Sequence, residues 1–210
     1  MGKTNVYVDG FNLYYGCLRA TPYRWLDLEA FSSILLPQDD IKRIRYFTAR
    51  VKARPGSPGV DSRQLAYLRA IGTLPKVTVH FGHFLSHSVR MPLAAPRANG
   101  PKTVEVIKTE EKGSDVNLAA YLLMDAFEKD CDTAVVISND GDLKEPLRMA
   151  RDLLRVKVGV VNPHIDGNRS KALAQYADFY KVVRKTALAR AQFPPEMTDD
   201  RGIFHKPPSW

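Results

Sequence analysis

Four aspartates have the type and spacing to do chemistry. Asp9 closes the short β-branched and aromatic run Asn5–Val8, and Asp9-Gly10 breaks that run. Asp140 and Asp142 follow the continuous apolar run Thr133–Ser138, in VVISNDGDL. Asp115 lies in KGSDVNLAAYLL, in the first turn of a predicted helix, where the helix dipole favours an acid. If the two acid-tipped strands are neighbours in a sheet, their carboxylates converge on one crevice. Like charges that close are costly unless a cation neutralises them. Oxygen donors without nearby Cys or His suit Mg²⁺ or Mn²⁺ better than Zn²⁺. A carboxylate-bound metal lowers the pKa of its water and clamps phosphoryl oxygens, as phosphodiester hydrolysis requires; one metal or two both fit the sequence.

Asn12, one helical turn after Asp9, would orient Asp9 or hydrogen-bond a scissile phosphate; equally, it is a polar residue at a helix start. Taken singly, each acid also has a plainer reading. Asp9-Gly10 and Asn139-Asp140-Gly141 are ordinary turn sequences, and Asp115 beside Ser114 is a normal helix start. The convergence, not any one residue, carries the expectation. Basic residues near the same edge, Arg50, Lys52 and Arg54, and Lys108 and Lys112 ahead of Asp115, would grip a nucleic-acid backbone without reading its sequence. The 31 Lys+Arg against 23 Asp+Glu, a formal net charge of +8, are consistent with a polyanionic partner, or with a merely solvated basic surface.

The elements that must position these residues alternate. Predicted strands cover Asn5–Val8, Ile41–Thr48, Lys76–Leu85, Thr103–Lys108, Thr133–Ser138, Val156–Val161 and Phe179–Val183. Between them lie helical patterns over Phe11–Arg19, Asp27–Leu36, Asp61–Ile71, Val116–Phe127 (with Ser114 as N-cap), Leu143–Leu154 and Lys171–Tyr176. This order predicts an α/β domain with a mostly parallel sheet and helices on both faces. Ligands of such sheets bind beyond the carboxyl ends of the strands, where Asp9 and Asp140 fall. Residues 54–59 read as a loop, 86–101 as an exposed insertion, and the proline-bearing stretch 187–210 as a flexible C-terminal tail after a domain spanning 1–186.

The segments YVDGFNLYYG, EEKGSDVNLAAYLLMDAF and TAVVISNDGDLKEPLRMAR, in this order and spacing over roughly residues 3–165, resemble the NYN family, a branch of the PIN-like ribonucleases, and most closely its bacterial single-domain members. The resemblance implies a Rossmann-like, three-layer PIN-type fold, a Mg²⁺ or Mn²⁺ site and endonucleolytic RNA cleavage. On it, Asp9 matches the first-strand acid, Asn12 the family asparagine, Asp115 the acid of KGxD, and Asp140 and Asp142 the acids of SxDxD. Asp9, Asp115, Asp140 and Asp142 are then the expected metal ligands. Many relatives carry a further Asp six residues after KGxD. Here that position is Tyr121, and the next helix acid is Asp125, close to three turns beyond Asp115. The expected partner is RNA, single-stranded or structured. A homodimer stays open, because PIN-like domains often pair.

Other classes fit less well. A haloacid-dehalogenase phosphatase wants a DxD pair where this chain has Asp9-Gly10-Phe11. No glycine-rich phosphate loop follows any strand, which argues against a mononucleotide site. His80 and His83 point to opposite faces of a strand, which makes a zinc site with His87 awkward. Tyr14 and Tyr15 are candidates to stack on a base, with core packing the plainer reading. Cys17 and Cys131, isolated from each other, suit a reducing compartment, and neither a signal peptide nor an apolar span of membrane length is present, so the expectation is a cytoplasmic protein. The rival that remains is an RNA-binding or regulatory module that keeps the fold with little or no turnover.

Overall fold

The structure is a computed structural model that describes residues 2–210, except 54, 55, 57, 97 and 166–168. Its centre is a seven-stranded sheet in the order β4-β3-β2-β1-β5-β6-β7. The strands are β1 (Lys3–Asp9), β2 (Asp40–Ala49), β3 (Val77–Pro92), β4 (Thr103–Lys112), β5 (Thr133–Ile137), β6 (Lys157–Asn162) and β7 (Phe179–Val182). All neighbours pair in parallel except β3 and β4, which form an antiparallel hairpin. This is the α/β, mostly parallel architecture the sequence predicts.

The central strands are buried on both sides. In β1, Val6 and Val8 enter one apolar cluster and Tyr7 the other; in β5, Val135 and Ile137 enter the first, Ala134 and Val136 the second. Alternate side chains of a strand face opposite ways, so a strand covered on both faces must be apolar throughout. Helices α2 (Leu28–Leu35) and α3 (Val60–Ile71) cover the first face, α2 with Leu28, Phe31 and Leu35. On the second face, α4 (Ser114–Phe127) brings Leu118, Leu122 and Ala126, one turn apart, and α5 (Lys144–Arg148) brings Leu147.

The chain runs outward from β1 through β2 and β3, turns back along β4, and crosses through α4 to β5 on the other side of β1. The strand order therefore reverses between β1 and β5. At such a switch point the connections diverge and leave a crevice beyond the carboxyl ends.

Three local expectations are corrected. Residues 86–92 do not leave the sheet as an insertion; they prolong β3 into a hairpin arm paired with β4 from Pro92↔Thr103 to His83↔Lys112. Ser114 does not cap α4. Gly113 holds that position at φ +97°, a left-handed conformation that favours glycine, and the Ser114 hydroxyl turns back to Glu111. The stretch 187–210 is not a loose tail. It carries α7 (Lys185–Arg190), begun just upstream, and the hairpin of β8 (Glu196–Asp199) and β9 (Gly202–His205), with α6 (Lys171–Ala174) preceding β7. Phe193, Phe204 and Trp210 surround the buried Trp25 at ring separations of 5.8, 6.5 and 6.3 Å. The Trp25 indole N–H donates to the Pro194 carbonyl at 2.9 Å. In the loop 54–59, Arg54, Pro55 and Ser57 lie outside the described residues.

Candidate active site

Asp9 ends β1 and also starts α1 (Gly10–Leu13), its Oδ1 accepting from the Asn12 backbone N–H at 2.9 Å. Gly10 permits this abrupt turn. A Cβ there would stand 2.7 Å from the Phe47 carbonyl oxygen and from the Tyr46 ring. Across the switch point, the Ser138 hydroxyl donates to Asp9 Oδ2 at 3.0 Å and accepts from the Asp140 N–H at 3.0 Å. Asp140 in turn accepts from the Asp142 N–H at 3.0 Å, which shapes the turn into Gly141–Leu143. The Asn12 side-chain oxygen accepts from the Asn139 N–H at 3.0 Å. Asn12 thus pins the loop after β5 to the helix after β1, a bridging role beside the orienting one expected.

These elements enclose a pocket of about 260 Å³ lined by Asp9, Asp115, Asp140 and Glu111, with Asn12, Ser114, Phe11, Tyr15 and Phe84. Four carboxylates line it, and none of its described lining residues is Lys or Arg. Burial pushes Asp9 up to about 6, and the nearby charges of Asp115 and Asp140 push the same way against the hydrogen bonds from Asn12 and Ser138. Asp115 is also raised, by partial burial first and then by Asp140, Glu111 and Asp142. Each acid makes ionisation of the next more costly, the signature of negative charge gathered without a counter-ion.

Of the expected residues, Asp9, Asn12, Asp115 and Asp140 come together here. Asp142 does not line the pocket; it is exposed at the rim and holds Asp140 through its backbone N–H. Nor do Arg50, Lys52, Lys108 or Lys112 line it. Lys108 pairs with Glu110 at 2.8 Å, and Arg50 lies over the Phe81 ring at 5.1 Å. The sequence reading missed Glu111. It arrives because β4 runs on to Lys112 and the Gly113 turn brings its carboxylate beside Ser114, accepting from the Ser114 N–H and hydroxyl at 3.1 and 2.6 Å. Two consecutive acids before KGSD were the only signal.

Tyr121 and Asp125 belong to a different structure. Asp125 is buried and takes two bonds from Arg45, at 2.7 and 2.8 Å, and one from the Tyr7 hydroxyl at 2.8 Å. Tyr121 lies under the Arg45 guanidinium at 4.5 Å and beside His80 at 4.1 Å. This is a structural ion pair within the α4 face of the sheet. His80 stacks on Phe47 at 5.0 Å in the same cluster.

The profile of the family described as NYN domain matches residues 3–184. The chain belongs to the NYN domain family. This NYN domain has the PIN-like nuclease fold. It is 32% identical to 6-hydroxy-3-succinoylpyridine 3-monooxygenase HspA of Pseudomonas putida (strain DSM 28022 / S16), over 99% of this chain and 75% of that protein. A crystal structure of a protein of unknown function from Vibrio parahaemolyticus RIMD 2210633 superimposes with a TM-score of 0.54 at 21% identity, covering 88% of this chain and 94% of that one, a likeness of fold alone. No helix among the described residues is long and apolar enough to cross a membrane.

The donor set of this NYN domain suits a hard divalent cation: carboxylate oxygens, uncompensated, around a polar pocket. Among the described residues no three Asp, Glu, His or Cys side chains already stand as a ready-made metal site. Asp9, Asp140 and Glu111 instead turn their oxygens to neighbouring N–H and O–H groups. Small side-chain rotations separate that arrangement from coordination. A second, larger groove of about 930 Å³ lies at the β7 edge, lined by Arg184, Lys185 and Arg190 and by no described carboxylate.

Proposed function

We propose that this protein is a metal-dependent ribonuclease, cutting RNA phosphodiester bonds endonucleolytically at the acidic pocket with Mg²⁺ or Mn²⁺. The observation that carries the reading is the cluster of four carboxylates, with no lysine or arginine lining beside them, at the switch point of a PIN-like sheet. In this reading Asp9, Asp115 and Asp140 hold the metal, with Glu111 facing the same space and Asp142 setting the loop from outside. The bound metal would supply a water of lowered pKa and charge neutralisation at the phosphoryl oxygens. Ser138 and Asn12 fix the acids by the hydrogen bonds described above, so little reorganisation is left to the moment of reaction. The basic groove bearing Arg184, Lys185 and Arg190, together with Arg50 and Lys52 beyond β2, supports a polyanionic substrate spread along the carboxyl-end rim of the sheet. Lys108 and Lys112, tied to Glu110, support it less.

A second reading rests on the Pseudomonas relative, whose name makes it a monooxygenase acting on a hydroxypyridine. One experiment separates the two. The purified protein is incubated with labelled single-stranded and structured RNAs under Mg²⁺, Mn²⁺ or chelator, and in parallel with 6-hydroxy-3-succinoylpyridine. The ribonuclease reading expects internal cleavage that needs metal and is lost in Asp9→Asn and Asp140→Asn. Cleavage unchanged in both variants overturns the site. Turnover of the pyridine without RNA cleavage replaces the hydrolase, and tight RNA binding without cleavage under either metal makes the protein a binding module.

A further inference from the structure

Beside the acidic pocket lies a cavity of different character. It measures about 100 Å³ and is walled by Tyr14, Tyr15, Tyr46, Tyr67 and Trp210, with Phe11 and Tyr15 shared between the two. The rings brace one another: Tyr14 meets Tyr15 at 5.3 Å and 78°, Tyr46 meets Tyr67 at 6.2 Å and 78°, and Tyr67 meets Trp210 at 5.9 Å. Arg24 also lines it. Its two terminal nitrogens donate to the Ser209 and Arg19 carbonyls at 3.1 and 2.6 Å, while its Nε is buried with no partner among the described residues. A buried donor without an acceptor is costly, so an acceptor brought by a ligand has a place to bond.

We infer that this cavity is a binding site for a planar, single-ring nitrogen heterocycle carrying an oxo group, held between aromatic side chains with its oxygen on Arg24. Three observations converge. A dry cavity of roughly 150 Å³ takes up benzene, so the measured volume suits one six-membered ring and not the two fused rings of a purine. Aromatic walls favour a flat π-system over an aliphatic chain. The shared residues Phe11 and Tyr15 make the cavity continuous with the acids, so a ring seated here would place its substituent toward Asp9 and Asp115. The shared chemistry is a lactam, and it has two sources: a uracil base within RNA, or a free pyridone. The inference goes beyond the hydrolytic reading and does not require it.

The test is titration of the full chain, in chelator, with uridine 5′-monophosphate, 2-pyridone and adenosine 5′-monophosphate, followed by tryptophan fluorescence, because Trp210 forms part of the wall. Saturable, mutually competitive binding of the two single rings is expected, with the purine about tenfold weaker or worse, a difference of one decade in affinity. Arg24→Gln, which removes the charged donor, is expected to weaken binding by about tenfold. Val60→Phe, which fills the cavity from the first residue of α3, is expected to abolish it. Both variants are first shown to melt as the parent does. Tighter binding of the nucleotide, with a uridine preference at the cut, identifies RNA as the source; tighter binding of 2-pyridone identifies a free small molecule. No saturation by either ring up to about 10 mM, equal binding of the purine, or full binding in two folded variants overturns the site. Because no metal or turnover enters the readout, absence of RNA cleavage leaves this result intact.

Discussion

The Ser138 hydroxyl donates to Asp9 Oδ2 at 3.0 Å while accepting from the Asp140 N–H at 3.0 Å, so one side chain on the β5 side sets the orientation of an acid on each side of the switch point. Removing it should loosen both. Ser138→Ala is expected to weaken Mn²⁺ binding and lower the cleavage rate by roughly 10–100-fold, the usual cost of losing a hydrogen-bonded support of a metal ligand. Mn²⁺ titration and single-turnover cleavage on the same preparation check it.

Acids that line the pocket and the acid that only borders it should separate in the same assay. Asp9→Asn, Asp115→Asn and Asp140→Asn are each expected to cost more than the roughly 10–100-fold of an outer hydrogen-bond partner. Asp142→Asn keeps the backbone N–H that holds Asp140 and is expected to cost less. Equal losses in all four would put Asp142 on the metal.

The raised Asp9 makes the metal-free fold sensitive to pH. Its carboxyl is pushed up to about 6, chiefly by burial, so between the unfolded value near 4 and pH 6 the folded chain binds more protons than the unfolded one. The stability it contributes is therefore fully present below about pH 4 and is lost as pH rises through 6. His80, lowered by burial and by Arg45, works with the opposite sign over an overlapping range, so the comparison must be with Asp9→Asn. In chelator, wild type is expected to fall in melting temperature relative to Asp9→Asn between pH 5 and 7.5, measured by calorimetry. Saturating Mn²⁺ at pH 7.5 should restore it, since a ligand bound by the folded state alone raises stability.

The Arg45–Asp125 pair is a fold determinant and should behave as one. Side-chain exposures of 8% and 3% leave either partner stranded if the other is removed. Asp125→Ala is expected to cost about 3–5 kcal/mol in urea denaturation, whereas a double replacement by apolar residues of similar volume comes closer to neutral. A small loss in the single variant would show that water reaches Arg45.

Truncation after Ala191 tests the C-terminal segment. It uncovers Trp25 by removing Phe193, Phe204 and Trp210, and the two phenylalanines alone account for roughly 1.5–3 kcal/mol each. The truncated chain is expected to melt at a clearly lower temperature and to lose single-ring binding with Trp210.

Local patterns alone carried much of the architecture. Asn5–Val8 and Thr133–Ser138 are apolar because both faces of their strands are covered, and that requirement is written residue by residue. So is the acid after each of them, since a strand's carboxyl end is where it meets the crevice. The NYN motifs marked Asp9, Asn12, Asp115 and Asp140 before any distance existed. Tertiary structure decided what depends on distant chain segments. Glu111 joins the pocket because β4 outruns its alternation and turns at Gly113. Asp142 stays at the rim, although it is of the same type as Asp140 and only two residues away. Asp125 is neutralised by Arg45, eighty positions upstream, a pairing that β2 and α4 make only when packed. The prolines near the end suggested looseness, yet Trp25 and Trp210 share one aromatic wall. Proline disfavours regular structure without preventing burial, and burial is a property of the whole fold.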